Sequence, residues 1–151
     1  MDLRPELSPP PVSAQRLEEL SRDIERIAEL VRGGAGEAGD EISAFNLKTG
    51  HAYEAPDFTE YDGSRSLSAF ASEAARPARP RVADVTADEL TELVSRVLTG
   101  SPESDYCLRL LRANVPHPRI SDLIFHPPAG LRDASPERIV AEALAYRPMA
   151  L

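Results

Sequence analysis

Cysteine is nearly absent from this 151-residue chain: Cys107 stands alone, which leaves no internal disulfide and no cysteine-based zinc site, and fits a reducing compartment. Histidine is also sparse, with three residues, so a metal-dependent hydrolase is disfavoured and no metal or cofactor is expected. Basic residues are in deficit. Seventeen Lys and Arg against 25 Asp and Glu leave a net charge of −8, which disfavours nucleic acid or an anionic membrane as partner and favours a basic protein. No apolar run approaches the roughly 20 residues that span a bilayer. The start, Met1-Asp2-Leu3-Arg4-Pro5-Glu6, lacks the basic and apolar regions of a signal peptide, so the expected location is the cytoplasm. The glycine-rich stretch from Gly33 to Gly39 follows a helical pattern, not a strand, and has no lysine, so no nucleotide site is implied.

What is present is an ordinary globular composition, 42% hydrophobic and 28% charged, arranged with helical periodicity. Residues 1–12, with Pro5 and Pro9-Pro10-Pro11, read as a disordered, extended arm. Leu17, Leu20, Ile24, Ile27 and Val31 recur at spacings of three and four, predicting a helix from Ser13 to Gly33-Gly34. Ile42, Phe45 and Leu47 predict a shorter helix stopped at Lys48-Thr49-Gly50, Pro56 to Tyr61 a single turn, and Ser66 a cap for one more helix through Ala74. Residues 78–83 continue the Arg-Pro tract that begins at Arg76 and read as a solvated linker.

Thr86 and Glu89 form a capping box ahead of Leu90, Leu93, Val94, Val97 and Leu98. Ser101-Pro102-Glu103 and Ser135-Pro136-Glu137 repeat one start signal, with proline at the first helical position and an acid near the positive end of the dipole. The first should bury Tyr106, Cys107, Leu110 and Leu111 and leave Arg109 and Arg112 outside. Between these helices lies a segment bounded by Pro116 and Pro118 on one side and Pro127-Pro128 on the other. Any helix there has about two turns or fewer, is capped by Ser121 or Asp122, and depends on packing because isolated helices below roughly 12 residues are marginal. Leu123, Ile124, Phe125 and His126 are more large groups than one side of it buries, so at least one faces out.

This segment resembles the immunity proteins of the colicin and pyocin nuclease toxins. The shared pattern is His117-Pro118, then Ser121-Asp122-Leu123-Ile124-Phe125-His126-Pro127, then Asp133-Ala134-Ser135-Pro136-Glu137-Arg138-Ile139-Val140, closing at Arg147. With the two preceding helices it covers residues 84–151. The resemblance implies an all-α, distorted four-helix bundle that inhibits a cognate nuclease-type toxin by stoichiometric binding and protects the producing cell, with no chemistry of its own and as an expected monomer. It also implies a contact made by Asp122, Phe125, His126, Ile120 and Pro127, tuned by Asp105, Arg109 and Arg112. Phe125 and His126 replace the family's aromatic pair, and the two arginines stand where acids are common.

Residues 13–77 follow a similar order of signals, so two related helical units in tandem are expected, the first a degenerate copy in which Tyr61 and Asp57 take the positions of the recognition helix. Tyrosine is a frequent hot spot because it buries area at small entropic cost. Other readings are blander. His117, Asp122 and His126 fit loop and cap roles better than a metal site, and Cys107 fits a core position better than a nucleophile. The alternative for the whole chain is a helical adaptor or regulatory module with an unrelated partner.

Overall fold

The computed structural model describes residues 2–63 and 65–147, so Pro148 to Leu151, with which the expected second unit ends, lie outside the described residues. All regular structure among them is helical. The chain divides into two compact units, one formed by Pro10–Ala78, the other by Met1–Pro9 together with Arg79–Leu151.

The first unit is built on α1 (Ala14–Arg32), whose N-cap Ser13 accepts a hydrogen bond from the Arg16 amide at 3.1 Å. Leu20, Ile24, Ile27 and Ala28 are its buried stripe, while Glu18 and Arg22 pair on the wet side. α2 (Ala38–Thr49) starts earlier than its apolar residues indicate and buries only Phe45. Leu47, one of the three apolar residues that predict this helix, is 89% exposed, because two steps of 100° carry it to the far side from Phe45. Ion pairs add to the apolar contact of Phe45 and Ile42 with the α1 stripe: Arg26 meets Glu41 at 3.1 Å, and Lys48 reaches Asp23 at 2.8 Å and Glu19 at 2.5 Å. Gly50 ends α2 at φ 77° with open space around its Cα. Gly50→Ala should therefore cost about 1–2 kcal/mol from backbone strain alone, read as a lower urea midpoint with an unchanged slope.

α3 (Ala55–Glu60) is a six-residue helix closed by a capping box between Glu54 and Asp57, and a 3-10 turn, Tyr61–Gly63, leads on toward α4 (Leu67–Ala75), capped by Ser66. Its inward residue, Phe58, meets Phe45 edge-on at 5.5 Å and Phe70 at 5.5 Å, so one aromatic cluster joins α2, α3 and α4.

In the second unit, α5 (Ala87–Leu98) carries the expected capping box, with Thr86 Oγ1 accepting from the Glu89 amide at 3.1 Å and Glu89 Oε1 from the Thr86 amide at 2.9 Å. α6 is Ser104–Asn114, α7 Ile120–Phe125, and α8 Pro136–Ala145, with a 3-10 turn at Ala129–Leu131 before α8. α5 packs on α6 and α8, and α7 packs on the same two helices. α6 begins two residues later than Ser101-Pro102-Glu103 indicates: the Ser104 amide donates to the Ser101 carbonyl at 2.9 Å, closing a turn before the helix. Cys107 lies in the core, where burial pushes its thiol above the ordinary value and leaves it unreactive.

Two expectations near the unit's edges are corrected. Residues 79–83 are not a solvated spacer, for Pro80 is buried and Val82 packs on the core. Asn114 holds them, accepting from the Val82 amide at 3.0 Å and donating to the Pro80 carbonyl at 2.9 Å. Nor are the first residues a disordered arm: Pro5–Leu7 forms a 3-10 turn, and Leu7, 1% exposed, belongs to the second unit's core.

The two units share an order of elements: two helices, a six-residue helix, a 3-10 turn and a serine-capped closing helix. Their packing differs, since α3 rests chiefly on α1 whereas α7 rests on α6 and α8.

Candidate functional site

α7 is shaped by the prolines around it. A residue before proline is driven out of helical geometry, so His126, ahead of Pro127, sits at φ −134°, ψ 58° and ends the helix. At the other end the imidazole of His117 accepts a hydrogen bond from the Arg119 amide at 2.9 Å and lies 4.8 Å from the Tyr146 ring. This fixes the entry into α7 from a residue two places before its N-cap. Ser121 and Asp122, expected as caps, lie inside the helix, and Arg119 is the N-cap with no side-chain bond of its own.

Ile120, Leu123 and Ile124 form an i, i+3, i+4 stripe and are buried, which directs Asp122 and Phe125 outward. Phe125 is 53% exposed. A phenylalanine half in water on a helix of six residues, with three neighbours buried, adds little to the core and presents a rigid apolar surface. His126 is exposed beside it and Pro127 half-buried. Ile120, assigned to the contact, is instead a core residue at 1% exposure and is withdrawn from that role, because burying the apolar face of so short a helix requires it.

On α6, Asp105 and Arg112 are exposed. Arg109 is not outside as expected: its side chain is only 10% exposed, folded over the Tyr106 ring at 5.3 Å and 3.6 Å from Asp105. Long guanidinium side chains lay their stems on apolar surface in this way. In the first unit, Asp57 and Tyr61 line one shallow depression with Pro56, Glu60 and Arg65. Asp57 is engaged as a cap, accepting from the Glu54 amide at 2.8 Å, and Tyr61 packs edge-on against Phe70 at 5.3 Å. Among the described residues no group of three or more His, Cys, Asp and Glu is placed to hold a metal ion, and no helix is long and apolar enough to cross a membrane.

The short helix with its exposed aromatic corner, framed by Pro118 and Pro127 and followed by a serine-capped closing helix, lies inside a match over residues 82–149 to the family described as colicin immunity protein / pyocin immunity protein. Residues 82–149 belong to this family. No curated protein and no solved structure matches the chain. In this immunity unit the first turn of α5 also holds Glu89, a charged side chain that is 5% exposed. The Arg4 guanidinium, at 2.7 Å, and the Thr86 amide hold its carboxyl below the usual glutamate range. A carboxylate with a depressed folded-state pKa stabilises the fold above its unfolded pKa, and that contribution is lost as pH falls through the folded value. The stability of the immunity unit should therefore decline on acidification below roughly pH 4.3, and Glu89→Gln should flatten that decline in urea titrations across pH.

Proposed function

We propose that this protein is a bacteriocin immunity protein that binds a nuclease-type toxin domain stoichiometrically in the cytoplasm and blocks its activity without chemistry of its own. The observation that carries the reading is the half-exposed Phe125 on a six-residue helix locked between prolines, within a unit of the colicin and pyocin immunity family. An aromatic side chain on a rigid element loses little entropy on docking, and such residues dominate binding energy at interfaces. Asp122 and His126 flank it, Pro127 fixes the chain beyond it, and Asp105 and Arg112 on α6 supply the charges that tune partner choice.

The shared order of elements supports reading the first unit as a degenerate copy, with Asp57 and Tyr61 in the place of the recognition helix. Superposing residues 13–77 on 84–147 tests this, and a different handedness of the two bundles would end it.

Co-expression with candidate nuclease-type toxin domains, taken first from neighbouring genes, tests the function. The expected result is survival of cells that die without the chain, with a one-to-one complex in calorimetry. Survival without a complex, or no rescue, would favour a helical adaptor.

A further inference from the structure

The matched family region begins at residue 82, yet the unit it describes is completed by residues from the opposite side of the intervening 10–78. The opening sequence Leu3-Arg4-Pro5-Glu6-Leu7 is built for this. Pro5 fixes φ at the first position of a 3-10 turn, in which the Leu7 amide donates to the Arg4 carbonyl at 2.9 Å and the Ser8 amide to the Pro5 carbonyl at 3.1 Å. A 3-10 turn has three residues per turn, so positions i and i+3 eclipse. Arg4 and Leu7 thus share one side, and Glu6 between them points to solvent.

Each of the two meets a complementary feature. Leu7 is buried among the residues of the α5 to α8 core, and Leu3, Val82 and Val85 pack at its margin. Arg4 grips Glu89 with both ends of the carboxylate, Nε to Oε2 at 2.7 Å and Nη2 to Oε1 at 3.1 Å. Its Nη2 also lies 3.2 Å and 3.4 Å from the carbonyls of Ala83 and Asp84. Planar two-point pairing of this kind is specific to arginine. Glu89 has two tasks in consequence: it closes the capping box of α5 and it receives Arg4.

We infer that the start of α5 in the immunity unit is a docking surface for an Arg-x-x-Leu turn, and that its occupant is the chain's own residues 2–9. The immunity unit is discontinuous, and residues 10–78 are inserted into it. A fragment cut at residue 82 lacks part of its own core and deprives Glu89 of its cation.

Hydrogen exchange of the α5 amides of Leu90, Leu93 and Val94 in the full chain tests this. Leu7→Ala should raise their opening equilibrium at least roughly 30-fold, as loss of a buried leucine side chain does. Arg4→Ala should raise it less, and Glu6→Ala, an exposed position on the same turn, should leave it unchanged. A chain lacking residues 2–8 should lose the same protection and regain it when a peptide of residues 2–12 is added in excess. Unaltered protection in Leu7→Ala overturns the inference. A second measurement stands if that variant does not fold: in Leu7→Cys the new thiol should react with a thiol reagent as slowly as the buried Cys107, and labelling at the rate of a free thiol overturns the inference as well.

Discussion

Phe58→Ala will destabilise the first unit by about 3–5 kcal/mol, a loss comparable with the whole stability of many small domains. Phe58 is fully buried and is the one buried residue of α3. Three rings surround it, those of Phe45 and Phe70 at 5.5 Å each and of Tyr53 at 6.0 Å. Truncation therefore removes the side chain that attaches α3 and opens a void against α2 and α4. A six-residue helix has no independent stability to fall back on. Urea denaturation followed by the far-ultraviolet helical signal should show the loss as an early transition. Phe58→Leu, which keeps most of the volume, should fall well short of it, and equal losses in the two variants would mean that ring geometry and not filled volume holds α3.

The helices were legible in the sequence because their signals are local. Ser66, Thr86 and Ser135 are N-caps as their spacing indicates, and Leu20, Ile24 and Ile27 of the α1 stripe are buried where periodicity puts them, with Leu17 and Val31 half-buried at its ends. What escaped depends on distant partners. Nothing within residues 1–12 shows that Arg4 meets Glu89, 85 positions on, and the prolines argue for an extended arm. The Arg-Pro tract misleads for the same reason, since Asn114 holds it from 32 and 34 positions away. In the segment between the prolines, spacing identified a short helix with at least one large residue left outside, and both Phe125 and His126 are exposed. It did not separate Ile120 from the contact, because a stretch of consecutive large residues reveals its inward face only once the helix start at Ile120 is fixed. Arg109 was misplaced because a helical wheel locates a Cβ, whereas a guanidinium several bonds away can fold back onto a neighbouring ring.

Phe125→Ala should weaken binding of the proposed toxin partner by at least about 2 kcal/mol, roughly 30-fold in affinity, while leaving the fold almost unchanged. The two halves of that expectation share one origin. A side chain that is 53% exposed in the free protein contributes little to its own core, so most of its removable apolar area is spent on whatever covers it. Most of the change should appear as faster dissociation, since loss of a central apolar anchor does not alter the long-range charge that governs encounter. Arg112→Ala should behave in the opposite way, changing the association rate and its salt dependence more than the lifetime, because Arg112 is exposed and presents charge with little packing. Surface plasmon resonance at two ionic strengths separates the two variants. If Phe125→Ala binds like the parent chain while Tyr61→Ala loses the affinity, recognition belongs to α3 and its 3-10 turn, and the exposed corner of α7 is a surface feature of the bundle and not its point of contact.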